Sequence, residues 1–179
     1  MRDNGKDAVA IFTRRRLDRW QIPLLNGWRT RKVFGVAHRL HGMVPPRIIA
    51  AIVRAWYNGW CTERRFQQSG LCIFGCQYED SIERYNICLI VVNLGHRYLN
   101  LERGGHNLER FLRLDVFRTN ISTVKIACQS AWVATVYITH CRWRRHGGVK
   151  PTVETLGQIL CELTRGHSCA SLIARAFVV

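Results

Sequence analysis

The chain has 179 residues, 47% of them hydrophobic and 22% charged, and 27 Lys and Arg against 12 Asp and Glu give a formal net charge of +15. That composition can fill a core, so it excludes a wholly disordered chain, a collagen-like repeat and a low-complexity linker, and the length is that of one ordinary domain or two small ones. The excess positive charge points to an acidic partner, nucleic acid before an anionic membrane surface.

The basic residues comprise 23 Arg and only 4 Lys. Arginine's planar fork grips phosphate and stacks on bases, so the bias suits RNA or DNA better than mere solubility, although a GC-rich genome gives the same bias. At the N-terminus the apolar run from Ala8 to Phe12 is too short for a secretory core and runs into Arg14, Arg15 and Arg16. Asp3, Asp7 and Asp18, with no serine nearby, argue against an organelle transit peptide. An intracellular, reducing compartment, nuclear or cytoplasmic, is therefore expected. There the eight cysteines would be buried or metal-bound rather than disulfide-linked. No uncharged apolar stretch reaches the length of a transmembrane helix; the nearest candidate, Ile121 to Cys141, contains Lys125, Gln129 and His140.

The charge is uneven along the chain. Residues 1–55 carry a net +9, residues 56–100 are neutral, residues 101–150 carry +6 and residues 151–179 are neutral. Positive charge therefore flanks a neutral, cysteine-rich middle. The expected organisation is a basic N-terminal segment over 1–44, a helix with the cysteine segment over 45–100, and a helical C-terminal region over 101–179.

In the basic segment, cations interleave with aromatics: Arg14, Arg15, Arg16 and Arg19 with Trp20, then Trp28 with Arg29, Arg31 and Lys32. Such a mixture can clamp phosphates and stack unpaired bases, a reading favoured for this stretch over the alternative that its tryptophans simply belong to a core. Pro45-Pro46 opens a helix, since proline is tolerated in the first turn. Ile48, Ile49, Ile52, Val53, Trp56 and Trp60 then fall on one face at helical spacing. The short apolar run from Ile87 to Leu94 is open between a buried strand and part of a helix. Asn107 reads as the N-cap of a short helix with Leu108, Phe111 and Leu112 inward.

A long helix is expected from about Ser122 to Arg145, with Val124, Cys128, Ala131, Trp132, Thr135 and Val136 on its buried side and Gly147-Gly148 ending it. Arg142, Trp143, Arg144 and Arg145 repeat the cation–aromatic theme at its C-terminus, where cations also favour the helix dipole. Thr152 caps a last helix on Val153, Leu156, Ile159, Leu160 and Leu163, which stops at Gly166. The fold expected is mainly α, a helical domain around an irregular, zinc-finger-like cysteine turn.

The middle segment reads WCTERRFQQSGLCIFGCQYEDSIERYNIC, with Cys61, Cys72, Cys76 and Cys88. Cys72-Ile-Phe-Gly-Cys76 is a C-x3-C turn in which Gly75 frees the backbone to aim both sulfurs at one centre. Structural zinc takes four donors in a tetrahedron, usually cysteine sulfur and histidine nitrogen, and Cys88 supplies a third. From Trp56 through Gly59-Trp60-Cys61-Thr62, Arg64-Arg65-Phe66-Gln67, Cys72, Cys76 and Glu79-Asp80-Ser81-Ile82-Glu83 to Cys88, the segment resembles a known family. It is similar to the zinc-binding region that follows the polymerase domain in reverse-transcriptase-like proteins of non-LTR (LINE-type) retroelements. Trp132, Tyr137, Arg142, Arg145-His146-Gly147-Gly148 and Thr164-Arg165-Gly166-His167 resemble the helical tail of the same retrotransposon proteins, so the likeness spans roughly residues 45–167.

The resemblance implies zinc on Cys72, Cys76 and Cys88 with a histidine as fourth ligand. In this chain that position is Arg84, which stays protonated and has no lone pair to offer. Cys61 and His96 are the other candidates for the fourth donor, each needing a different loop path. Tyr78-Glu79-Asp80 has only one of the paired aspartates of a reverse-transcriptase metal site, and the chain has no room for palm and fingers. There is no phosphate-binding glycine loop and no His-Glu-x-x-His helix, so the protein is not expected to be an enzyme. The function expected is sequence-tolerant nucleic-acid binding. The rivals are a basic helical subunit recruited into a larger assembly, or a translated relic without selected function.

Overall fold

The computed structural model describes residues 4–21, 35, 37–57, 59–101, 108–112 and 121–175. Trp28, Arg29, Arg31, Lys32 and Asn107 lie outside the described residues. Eight α-helices are named among those described, with a single antiparallel bridge, Leu71 to Glu79, standing in for any sheet. The mainly α expectation therefore holds.

The organising element is the long helix. The Ser122 hydroxyl accepts the Lys125 N–H at 3.2 Å to start it, and Gly147 at φ +66° ends it. Between them Thr123–His146 is buried continuously from Ile126 to Tyr137. A helix covered on every side must lie at the centre of its domain. The others pack around it.

In chain order the helices are α1 (Asn4–Arg19), α2 (Pro46–Trp56), α3 (Ile82–Tyr85), α4 (Leu89–Leu99), α5 (Leu108–Phe111), the central α6 (Thr123–His146), α7 (Val153–Thr164) and α8 (Cys169–Arg175). Helices α2, α4, α5, α7 and α8 all touch α6, while α7 also meets α4 and α8. Helix α2 begins on Pro46 as expected and buries Ile48, Ala51, Ile52, Ala55 and Trp56. Trp60 lies beyond the end of α2, wholly buried, with its indole N–H donating to the Ala51 carbonyl at 3.2 Å. Its ring meets Tyr85, Phe111 and Tyr137 at centroid distances of 5.8, 6.0 and 5.3 Å. It joins the cysteine segment to the helical core.

The ambiguous run after Ile87 is helical: Leu89–Leu99 forms α4, with Val91, Leu94 and Leu99 buried. Where α4 meets α7, Gly157 makes room for Tyr98, because a Cβ there would lie 2.5 Å from the Tyr98 ring. Thr152 caps α7 as expected, accepting the Thr155 N–H at 3.3 Å. The chain then turns at Gly166 and continues into α8, which periodicity alone does not separate from α7. Helix α1 likewise has no clear mark in the sequence; Leu17 near its end is buried, and so is Trp20 just after it. No described helix is long and apolar enough to cross a membrane.

Candidate metal centre

Between α2 and α4 the chain folds into a knuckle. The Leu71–Glu79 bridge closes its base, and the Cys72 N–H donates to the Tyr78 carbonyl at 2.7 Å. Inside that loop the Gly75 N–H donates to the Cys72 carbonyl at 2.9 Å, and Gly75 sits at φ +82°, a conformation that favours a residue without Cβ. Ile73 and Phe74, between the two cysteines, are buried in the core, with the Phe74 ring edge-on to Tyr85 at 5.5 Å. Apolar anchoring thus holds the turn that presents the sulfurs.

Cys88 arrives at the same point from the start of α4, where it occupies the N-cap position. The ligand atoms of Cys72, Cys76 and Cys88 lie within 4.8 Å of one another, and the Cys72 and Cys88 sulfurs are 3.9 Å apart. Cys72 and Cys88 are buried and Cys76 is half-buried. The three could hold a metal ion. Bonds of about 2.3 Å from zinc to sulfur give tetrahedral edges of about 3.8 Å, so the Cys72–Cys88 spacing fits that donor set without rearrangement.

The electrostatics also favour a thiolate here. The Cys72 thiol hydrogen-bonds to Cys88 and, with the Ile90 and Val91 N–H groups facing that sulfur, draws Cys88 down to about 6 despite burial. Cys72 moves the other way: its bond to Cys88 and its burial push it up. Burial pushes Cys76 up as well, although backbone N–H groups face the other two sulfurs, from Phe74 towards Cys72 and from Tyr78 towards Cys76. Each would favour a bound thiolate.

No fourth His, Cys, Asp or Glu joins this cluster among the described residues. Cys61, expected as a metal-ligand candidate, lies instead beside Cys141, whose thiol it influences. It leaves the knuckle because the chain enters through Thr62 and the 3-10 turn Arg64–Phe66 before reaching Cys72. His96 is exposed on α4 and outside the cluster. Arg84 is exposed too, its guanidinium 5.4 Å over the Tyr78 ring. All eight cysteines are free thiols.

Beside the knuckle lies a buried charge network that no sequence pattern announces. Asp80 and His140 are both fully buried, with the His140 Nε2 3.2 Å from the Asp80 carboxylate. That carboxylate also accepts the Glu63 N–H at 2.9 Å, the Arg144 guanidinium at 2.9 Å and the Tyr85 hydroxyl. Burial would raise the Asp80 carboxyl, but His140, Tyr85 and the Glu63 N–H together hold it at about 2. Arg144 pairs with the Glu63 carboxylate as well. The network bolts the C-terminal half of α6 to both ends of the cysteine segment.

These contacts redistribute the expected nucleic-acid residues. Arg144 spends its charge on Asp80 and Glu63 instead of facing solvent. Trp20 is 7% exposed and donates its indole N–H to Glu83 at 3.0 Å, so it offers no free stacking face. Arg16 is half-buried with its guanidinium 4.5 Å over the Trp20 ring. Trp143 is half-buried with Arg144 above it, and Arg142 pairs with Glu162 at 2.8 Å on the surface. Arg14, Arg15 and Arg145 are exposed.

The Trp20–Glu83 bond also docks the end of α1 against the knuckle, leaving a cleft of about 140 Å³ lined by Arg16, Arg19, Arg64, Arg65, Gln67 and Glu83. Its four arginines come from segments that the charge pattern places on opposite sides of a boundary. The Arg64-Arg65 pair is the visible sign, hidden by the neutrality of the surrounding segment. Comparison with known protein families, with curated proteins and with solved structures returns no match.

Proposed function

We propose that this chain is a non-catalytic, sequence-tolerant nucleic-acid-binding domain, related to the zinc-binding region of retroelement reverse-transcriptase-like proteins, with zinc on Cys72, Cys76 and Cys88. The observation that carries the binding reading is the charge, +15 overall with 23 arginines, of which Arg14, Arg15, Arg19, Arg65 and Arg145 are exposed. A polyanion is the partner such a surface attracts. The zinc reading is supported by three thiols within 4.8 Å and by the 3.9 Å sulfur spacing. The fourth position is left to solvent or to a donor from outside the described residues. The metal's part is structural, tying the knuckle to the head of α4, and no reaction step is assigned to it.

The test is a binding titration with single-stranded RNA and with duplex DNA across a salt series. Log affinity should fall linearly with log salt, with a slope of about −0.7 per neutralised phosphate on single strands and about −0.9 on duplex. Both nucleic acids should be bound with little dependence on base sequence. Negligible binding at low salt would remove the proposal and favour a subunit whose charge faces some other acidic surface.

A further inference from the structure

The cleft between α1 and the knuckle brings four cations round one carboxylate. Arg16 and Arg19 come from the last turn of α1, Arg64 and Arg65 from the 3-10 turn, and Glu83 from α3. Arg64 is engaged by Glu79 at 3.4 Å and Glu83 at 3.7 Å. Arg19 and Arg65 are exposed and make no ion pair with a described carboxylate. Four guanidinium groups against one carboxylate leave an excess of positive charge that a further anion would relieve; Arg16 is pushed down chiefly by burial, with Glu83 opposing and Arg19 and Arg64 adding to it.

Size narrows the ligand. At about 140 Å³ the cleft is smaller than the roughly 300–1,000 Å³ usual for an organic ligand, so it suits a single anionic group. Arginine forks recognise phosphate oxygens in pairs, which several convergent guanidinium groups do better than scattered lysines. Phe66, 54% exposed, does not itself line the cleft but lies in sequence between Arg65 and Gln67, which do. The Arg65 guanidinium lies 5.4 Å over one face of the Phe66 ring, so fork and ring form one surface and the opposite face is the one a base would use. An exposed phenylalanine next to a phosphate-sized basic cleft is the pairing that a nucleotide of an unpaired strand requires.

We propose that this cleft binds one backbone phosphate of single-stranded nucleic acid through Arg19 and Arg65, while Phe66 stacks on an adjacent base. The assignment rests on the nucleic-acid reading above and locates its contact surface at the knuckle instead of at Trp20 or Arg144. It also predicts discrimination, because a base within a duplex has no free face to give Phe66.

The experiment titrates the full chain with a labelled oligouridylate, with duplex DNA of equal length and, separately, with inorganic pyrophosphate followed by thermal shift. The Arg19→Ala/Arg65→Ala variant should bind the oligouridylate about tenfold more weakly, with a salt slope shallower by about 0.7, the share of one phosphate on a single strand, and should lose the pyrophosphate shift. Phe66→Ala should weaken the oligouridylate by about tenfold and leave duplex DNA unchanged. All three side chains are exposed, so melting temperatures should stay close to the parent's; Arg19→Lys/Arg65→Lys, which keeps the charge and loses the fork, should give an intermediate loss.

If the parent binds RNA and the Arg19→Ala/Arg65→Ala variant binds it equally well, the cleft assignment is overturned while the function stands. If the parent binds pyrophosphate through these arginines but binds no RNA, both the function and the nucleotide assignment fall, and the cleft is a site for a free phosphate. Binding of neither ligand overturns both.

Discussion

Cys88→Ser is expected to abolish stable metal binding and to lower the melting temperature of the zinc-loaded protein by about 10 °C. The serine hydroxyl is a far poorer zinc donor than a thiolate, and only two sulfurs of the cluster would remain. A metal that binds the folded state alone stabilises it by about 4 kcal/mol when its free concentration is a thousand times Kd. For a chain of this length each kcal/mol is worth about 2–4 °C. Metal analysis and thermal melts check this, with Cys161→Ser as the comparison because Cys161 is exposed and outside the cluster. In excess chelator the parent and Cys88→Ser should converge. A parent that melts at the same temperature with and without zinc would mean that the three cysteines are no more than buried thiols.

Asp80→Asn should cost about 3–5 kcal/mol, the range for removing one partner from a buried ion pair, because Arg144 and His140 would lose the carboxylate they share. Urea unfolding reads this as a lower midpoint at unchanged slope. The pH dependence follows from the depressed carboxyl. Held at about 2 instead of the ordinary 3.8, Asp80 stabilises the fold fully above its unfolded value. That contribution, about 2 kcal/mol, should be lost as pH falls from about 4 to about 2, and Asp80→Asn should lack this part of the acid transition. Equal midpoints for parent and variant at neutral pH would show that the network does not hold α6 to the knuckle.

Helices whose apolar residues recur at helical spacing are legible in the sequence alone. In α2 and α7 spacing picks out the inward residues, Ile48, Ile52 and Trp56 in one and Leu156, Ile159, Leu160 and Leu163 in the other, and Ser122, Thr152 and Gly147 mark real ends. The run that begins α4 is not legible in this way, since a short apolar stretch fits a buried strand and a helix equally until its partner surface is known. The Cys72, Cys76 and Cys88 set is legible because a tight turn and a third cysteine close by limit where the sulfurs can go. Cys61 misleads, since its nearness in sequence says nothing of the path through Thr62 and Arg64.

The basic surface is the least legible part. Trp20 and Arg16 look the same in sequence whether they stack on a base or on each other, and only the bond from Trp20 to Glu83 separates the two. Arg144 reads as a helix-end cation, although it lies four residues after His140 on a face that includes Val136; a buried stripe running into polar residues is a usable sign of an internal network. Asp80 and His140 are 60 residues apart, a separation that no local pattern bridges.

The most direct measurement is a fluorescence titration of single-stranded RNA with zinc-loaded protein and with the same preparation stripped by chelator. If a metal on Cys72, Cys76 and Cys88 organises the nucleic-acid surface, the loaded protein carries one zinc per chain and the stripped protein binds about tenfold or more weakly, with affinity restored by adding zinc back. Equal affinity of the loaded and stripped forms, or a parent that takes up no zinc, would contradict it.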